Sequence, residues 1–385
     1  MNKNQAILSV EEKFKTQIRQ ILGPIQLIDI SNIPYTETSD PEKLCKNPLV
    51  SILCITYNHE KYIKKTFSGF EMQKCNFEFE ILIGEDCSTD NTLKLCKEFQ
   101  QKHPEYVRLI TSEKNVGAKR NSFRINKLAR GKYIAFCEGD DYWITADKLQ
   151  KQVNFLESNP QYNLVHTNAE IRDANGIFKR IYHKQENINS LLHSNNQAYD
   201  RLLVKFYVCT GTTLMRKKDR TTLFSQNPEN IFTEQRRLGD MQLWSGMLSL
   251  GKFAWLPEIT TCYNESEESA TRSKNKKNTF MLFCDAFEVY LKLNSLFNNN
   301  DPFVYHDIMR RTAKEALFRA YEVNELDIVK TASKLLRLYG EKNLFITTSI
   351  ICSTIKVPFW IFNTILKFYR FCSILKKFLK SFRLH

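Results

Sequence analysis

Between residues 49 and 143 four apolar, β-branched-rich runs alternate with three helical ones, and this alternation restricts the fold more than any other feature. The runs are LVSILCITYN (49–58), FEFEILIGED (77–86), YVRLIT (106–111) and KYIAFC (132–137). Residues 61–72, 90–101 and 120–130 carry helical spacing between them. A run that is apolar on both faces suits a strand covered on both sides. Strands alternating with helices predict a parallel sheet with right-handed crossovers. Open sheets of this kind bind ligands outside the carboxyl ends of their strands.

Polar residues collect at those ends. The first run leads into Thr56-Tyr57-Asn58-His59-Glu60 and the second into Glu85-Asp86-Cys87-Ser88. Asn115-Val116-Gly117 follows the third, and the fourth stops in Glu138-Gly139-Asp140-Asp141. Glu138 and Asp140 are two apart, so a continuing strand would point them to one side. Two oxygen donors on one side suit a hard cation such as Mg²⁺ or Mn²⁺. Such an ion, set between carboxylates and a diphosphate, stabilises a phosphate leaving group. The bland alternative is three acids in a solvated turn. Asp86 can accept from a base N–H or a ribose hydroxyl, while Ser88 and Thr89 can instead cap the following helix. No glycine-rich phosphate loop is present, so a diphosphate would rely on metal and side chains.

Composition narrows the partners. A chain of 385 residues with 42% hydrophobic content has room for more than one domain. Its formal net charge of +14 favours anionic partners such as nucleotides, nucleic acid or an acidic membrane face. No zinc-finger spacing or RNA-binding aromatic motif appears, so nucleic acid is not expected. The 11 cysteines form no C-x-x-C pair and read as reduced thiols, with Cys54 and Cys137 as small buried residues. The first residues meet acids early and lack a long apolar region, so no secretory signal is expected.

Four blocks, VSILCITYNHEKYI, GEDCSTDNT, NVGAKRN and GKYIAFCEGDDYW, occur in this order. Together they resemble the donor-binding half of the family 2 inverting glycosyltransferases, which have the GT-A fold. The resemblance implies that Thr56, Tyr57, Asn58 and Glu60 line a nucleotide cleft and that Asp86 meets the base. It implies that Ser88, Asn121, Glu138 and Asp141 complete the nucleotide-sugar site. Asp140 would hold Mg²⁺ or Mn²⁺ with Glu138 beside it, although the family more often has Asp at that first position. Asp240 opens the helical run 236–250, ahead of Gly251-Lys252 and Pro257. The family carries its catalytic base in this setting, so the role passes to Asp240. Ordinary charge complementarity at a helix N-terminus is the alternative there. Relatives often place a histidine after this helix. CYNESEESATRS (262–273) has none, and Asn264, Ser269, Thr271 or Arg272 could stand in for it. CTGTTLMRKKD (209–219) reads as a strand, and a similar segment flanks the acceptor pocket in the family.

The expected fold is α/β, a mostly parallel sheet flanked by helices with a C-terminal helical extension. Residues 1–46 read as an extension or linker, with Val10, Phe14, Ile18 and Leu22 on one helical face. The GT-A domain spans 47–275, its donor half 47–143 and its acceptor half 144–275. Within the acceptor half Thr145 is a candidate helix cap, Asn175-Gly176 a hairpin turn, and 183–200 a loop over the acceptor site. Residues 276–341 read as helical. From Lys342 to the end there is no acid, and basic residues alternate with apolar ones. Lys356 and Pro358 interrupt the apolar stretch, so 342–385 suits an amphipathic segment lying on an anionic membrane. The expected activity is sugar transfer, with inversion, from a nucleotide-diphospho-sugar, a UDP-sugar foremost, to a glycan or lipid-linked acceptor. Surface polysaccharide or lipopolysaccharide synthesis at the cytoplasmic face of the cell membrane would use it. A catalytically silent nucleotide-binding scaffold and a nucleotidyltransferase are the alternatives.

Overall fold

The computed structural model describes residues 2–24, 26–29, 32–183, 208–226, 238–265, 275–297, 301–341 and 344–365. The chain opens with helix α1 (Lys3–Leu22), capped by the side chain of Asn2. Then follow β1 (Thr36–Thr38), β2 (Val50–Thr56), α2 (Ile63–Glu71), β3 (Phe79–Glu85), α3 (Thr92–Lys102), β4 (Val107–Thr111), α4 (Ala118–Leu128) and β5 (Tyr133–Phe136). Next come β6 (Tyr142–Trp143), α5 (Lys148–Ser158), β7 (Tyr162–Asp173), β8 (Phe178–Ile181), β9 (Thr213–Arg216), α6 (Lys217–Gln226), α7 (Gly239–Leu250) and β10 (Lys252–Glu265). The helices α8 (Lys276–Phe297), α9 (Pro302–Glu322), α10 (Leu326–Leu338) and α11 (Leu344–Thr354) follow, and residues 359–365 are helical as well. Two compact units result. One is Ile25–Ser269, and the other joins Met1–Pro24 to Ala270–His385.

The first unit is built on a 10-stranded sheet of order β1-β4-β3-β2-β5-β9-β7-β10-β6, with β8 paired to β7. Strands β2, β3, β4, β5, β7 and β10 run the same way, which makes the sheet mostly parallel. Val50, Ile52 and Cys54 of β2 pack with Ile63, Phe67 and Phe70 of α2 and with Phe99 of α3 in one core. Phe67 and Phe99 stack at 4.0 Å. Burying each such side chain contributes about 1.5–3 kcal/mol. Cys54 and Cys137 are buried as expected, and the described cysteines are free thiols. The Asn175-Gly176 turn joins β7 to β8, with Gly176 at φ 79°.

At the amino edge of this sheet a buried carboxylate is fully satisfied. Glu80 accepts from the Ser51 hydroxyl at 2.6 Å, from the Arg130 backbone at 2.7 Å and from Arg130 Nε at 2.8 Å. Arg108 reaches Glu80 at 3.2 Å and grips both oxygens of Glu37 at 2.7 and 3.0 Å. This pairing ties β1 onto β4 as an antiparallel edge strand. Residues 36–38, within the stretch 1–46 that reads as an extension or linker, therefore supply part of the sheet.

The second unit is helical. Val10, Phe14, Ile18 and Leu22 are all buried, and α1 packs on α8 and α10. Phe14 meets Phe287 at 5.8 Å. Buried Glu11 accepts from Tyr339 and, at 3.4 Å, from Tyr305. The stretch 1–46 is thus divided, because the apolar stripe of α1 finds its partners among helices far away in sequence. Among the described residues no helix is long and apolar enough to cross a membrane.

Two local expectations are corrected. Residues 209–219 are a 3₁₀ turn at Thr210–Thr212, then β9, then the start of α6. Thr145 does not cap α5, which begins after Asp147. The carbonyl of Thr145 instead accepts from Gln73 at 2.7 Å.

Candidate active site

The carboxyl edge gathers the sequence-predicted acids. Beyond β5 the backbone stays beside β2: Cys137 N–H donates to Leu53 at 3.2 Å and Gly139 N–H to Ile55 at 2.9 Å. The chain then turns, with Asp141 N–H donating to the Glu138 carbonyl at 3.0 Å. This turn, and not strand alternation, sets how Glu138 and Asp140 lie. Its position requires a glycine, since a Cβ on Gly139 would fall 2.6 Å from the Thr56 hydroxyl.

Two residues clamp the turn. The buried Thr66 hydroxyl on α2 reaches the carbonyls of Gly139 and Asp141 at 3.1 and 2.7 Å. From β10, Asn264 donates its backbone N–H to Asp141 Oδ1 at 2.9 Å and its side-chain amide to the Asp140 carbonyl. Of the four residues considered in place of a histidine, Asn264 therefore reaches the acids. Ser269, Thr271 and Arg272 lie outside the described residues. Thr66 escaped sequence reasoning, because a threonine inside a helical run carries no local sign of a distant partner.

The electrostatics are those of crowded like charges. Glu138 is exposed to solvent. Desolvation, followed by the charges of Asp140 and Asp240, pushes its carboxyl up to about 8. Burial, then Asp140 and Glu138, hold Asp141 well above the usual carboxylate range. Asp240 sits in the first turn of α7, its carboxylate accepting from Met241 N–H at 2.8 Å. Asp140 Oδ1 is buried and has no hydrogen-bond partner among the described residues.

Behind the turn lies a buried lysine. The Lys148 ammonium donates to Gln152 at 2.7 Å and sits 4.4 Å from the centre of the Trp143 ring. Burial pushes it down to about 7. Trp143 in turn donates its indole N–H to Gly211 at 2.9 Å.

The tips of β2 and β3 are bound to each other. Asn58, with φ 57°, donates its N–H to Ser88 at 3.0 Å and accepts from Thr89 N–H at 2.8 Å. Glu60 accepts from the Asn91 backbone at 2.9 Å and its side chain at 3.0 Å. Glu85 accepts from Ser88 N–H at 2.7 Å. Thr56 is buried against His59, whereas Tyr57 is exposed. Asp90, in place of Ser88 or Thr89, accepts from Thr92 N–H at the start of α3.

Asp86 and Asn121 are both held by hydrogen bonds within the fold. Asp86 is buried, and its two oxygens accept from Val116 and Gly117 N–H at 2.9 and 2.8 Å, which holds the 115–117 loop. Asn121 is buried, donates to the Gly84 carbonyl at 2.6 Å and accepts from Arg124 at 3.0 Å. Both ends of its amide are engaged within the fold, by Gly84 of β3 and Arg124 of α4.

Among the described residues no three His, Cys, Asp or Glu side chains form a ready metal cage. The donor set fits a different arrangement. Mg²⁺ and Mn²⁺ are commonly held by one or two carboxylates, with phosphate oxygens and water filling the remaining positions. Asp140 Oδ1, buried without a hydrogen-bond donor among the described residues, is a suitable oxygen for such an ion.

Comparison with known proteins is consistent with this geometry. The pattern of glycosyl transferase family 2 matches residues 51–223. The UDP-Glc:alpha-D-GlcNAc-diphosphoundecaprenol beta-1,3-glucosyltransferase WfgD of Escherichia coli is 32% identical over 231 residues, 60% of this chain and 82% of its own length. The chain belongs to glycosyl transferase family 2. An uncharacterised protein of Mycobacterium tuberculosis is 29% identical over 214 residues, and the chain spans 58% of that relative's length. Among solved structures, S. aureus TarS in complex with UDP-GlcNAc is 16% identical, with 80% of this chain and 92% of that one covered at a TM-score of 0.49.

Proposed function

We propose that the protein transfers a sugar from a nucleotide-diphospho-sugar to an acceptor hydroxyl, with inversion, at the carboxyl edge of its sheet. The observation that carries this reading is the acid turn 138–141 at the carboxyl edge, clamped by Thr66 and Asn264, in a chain of glycosyl transferase family 2. A divalent ion, Mg²⁺ or Mn²⁺, supplies the positive charge that neutralises a departing diphosphate. Asp140 and Glu138 would hold it, and Thr66 and Asn264 fix the turn that carries them. Tyr57, Asn58, Glu60, Ser88 and Asp86 frame the nucleotide side, with Asp86 acting mainly by shaping the 115–117 loop. Asp141 is braced by Asn264 and supports the turn from within. Asp240 accepts the acceptor's hydroxyl proton as that oxygen attacks the anomeric carbon from the face opposite the diphosphate. The new C–O bond forms as the bond to the diphosphate breaks, which inverts the centre and leaves the proton on Asp240.

The name of WfgD gives a UDP-sugar donor and a lipid-diphosphate acceptor. That likeness supports a UDP-sugar donor here and a glycan or lipid-linked acceptor in surface polysaccharide or lipopolysaccharide synthesis. The acid-free sequence from Lys342 onward supports a cytoplasmic protein held peripherally on the inner face of the cell membrane.

The test is release of nucleoside diphosphate from a panel of nucleotide-sugars, with and without Mn²⁺, in the presence of glycan and lipid-linked acceptor pools. Metal-dependent release from one donor is expected. Pyrophosphate release would indicate a nucleotidyltransferase. No turnover with any donor would favour a silent nucleotide-binding scaffold.

A further inference from the structure

We propose that Ile351, Ile355 and Trp360 form the face that docks on an anionic lipid surface. This rests on the peripheral membrane reading above and names the residues that enter the bilayer. Their exposures are 54%, 67% and 70%. Ile351 lies in the last turn of α11 and Ile355 just beyond it, its N–H donating to the Ile351 carbonyl at 3.1 Å, so the two share one side.

The opposite side is anchored. Cys352 and Phe362 are buried. Phe362 stacks on Tyr321 of α9 at 4.1 Å, and the Tyr321 hydroxyl donates to the Val357 carbonyl at 2.7 Å. Phe359 meets Phe318 at 5.5 Å. The three apolar side chains are therefore displayed from a fixed base.

Charge selects the occupant. Lys356 lies between Ile355 and Trp360, and from Lys342 to the last residue the sequence has lysines and arginines but no acid. Apolar side chains among cations suit an interface of acyl chains beneath anionic headgroups. Tryptophan favours that depth, with its ring in the apolar layer and its N–H near water.

The chain carries its own reporter. Of its 4 tryptophans, Trp143, Trp244 and Trp255 are buried, which leaves Trp360 as the exposed one. The full chain is titrated with phosphatidylcholine vesicles, pure or containing about one third phosphatidylglycerol. Anionic vesicles should shift the emission to the blue and protect it from acrylamide, while neutral vesicles should bind about tenfold more weakly. Trp360→Phe should still sediment with anionic vesicles but lose the spectral change. The double variant Ile351→Ser, Ile355→Ser should lose about tenfold or more in partitioning with an unaltered thermal transition. Sedimentation with Trp360 still open to acrylamide would overturn the docking face and leave the basic-tail reading standing. No sedimentation would overturn both. Shielding of Trp360 that grows with protein concentration without lipid would point to a second copy and overturn the proposal.

Discussion

The two edges of the sheet use the same residue types to opposite ends. At the amino edge Glu80 is buried, but two arginines and a serine satisfy it. At the carboxyl edge Glu138, Asp140 and Asp141 crowd together, and no cation among the described residues pairs with them. Buried charge that is paired fixes an edge strand. Charge left crowded raises the free energy of the empty site, and a cation can recover that energy on binding. Such a cost at a working site is an expected trade of stability for activity.

Opposite responses at the two edges would sharpen this contrast. Asp140→Asn should lower metal-dependent turnover by about 10³-fold or more, on the several kcal/mol that a metal contributes to a charged transition state. The same change should raise the melting temperature of the metal-free protein, because it removes a like charge from the neighbourhood of Glu138 and Asp141. Activity assays and calorimetry on one preparation check both. Glu80→Gln should do the reverse. It weakens the hydrogen bonds from Ser51, Arg130 and Arg108 while Arg108 keeps Glu37, and should cost about 1–3 kcal/mol of stability, while turnover per folded molecule stays near wild type. If both variants moved stability in the same direction, the contrast would break.

Smaller effects probe the supports of the acid turn. Thr66→Val removes the hydroxyl that satisfies two carbonyls and should cost about 1–2 kcal/mol. It should also weaken Mn²⁺ binding, and Thr66→Ser should restore both in a denaturation and metal-titration series. Lys148 gives a pH signature. Its folded value near 7 lies below the ordinary 10.5, so the unfolded chain binds more protons between these limits. The penalty is complete below about 7, and stability rises as pH climbs toward the ordinary value. Lys148→Met should flatten that part of the stability–pH curve, as read by urea unfolding across the range.

Local chemistry made much of this legible in the sequence. Alternating apolar runs announced β2 to β5, since strand and helix periods can be read from one window. The acids at the end of β5 were legible there too, but the turn that carries them was not, since a continuing strand was expected; the hairpin at Asn175-Gly176 was legible from its turn residues. What escaped depends on partners distant in the chain. Asn121 looks like any polar residue near a strand end until α4 presses it against Gly84. Thr66 becomes a clamp only once α2 lies over residues 139–141. The stripe of α1 announced a buried face, yet its partners on α8 and α10 lie hundreds of residues away. Asn264 was one of four candidates, and only the pairing of β10 with β6 brings it to the acids.

Asp240→Asn tests the division of labour most directly. Donor affinity is measured by titration with Mn²⁺ and nucleoside diphosphate, and turnover by diphosphate release with acceptor present. The expected result is unchanged binding with turnover down by about 10²–10⁴-fold. Turnover close to wild type would contradict it and remove Asp240 from the role of base.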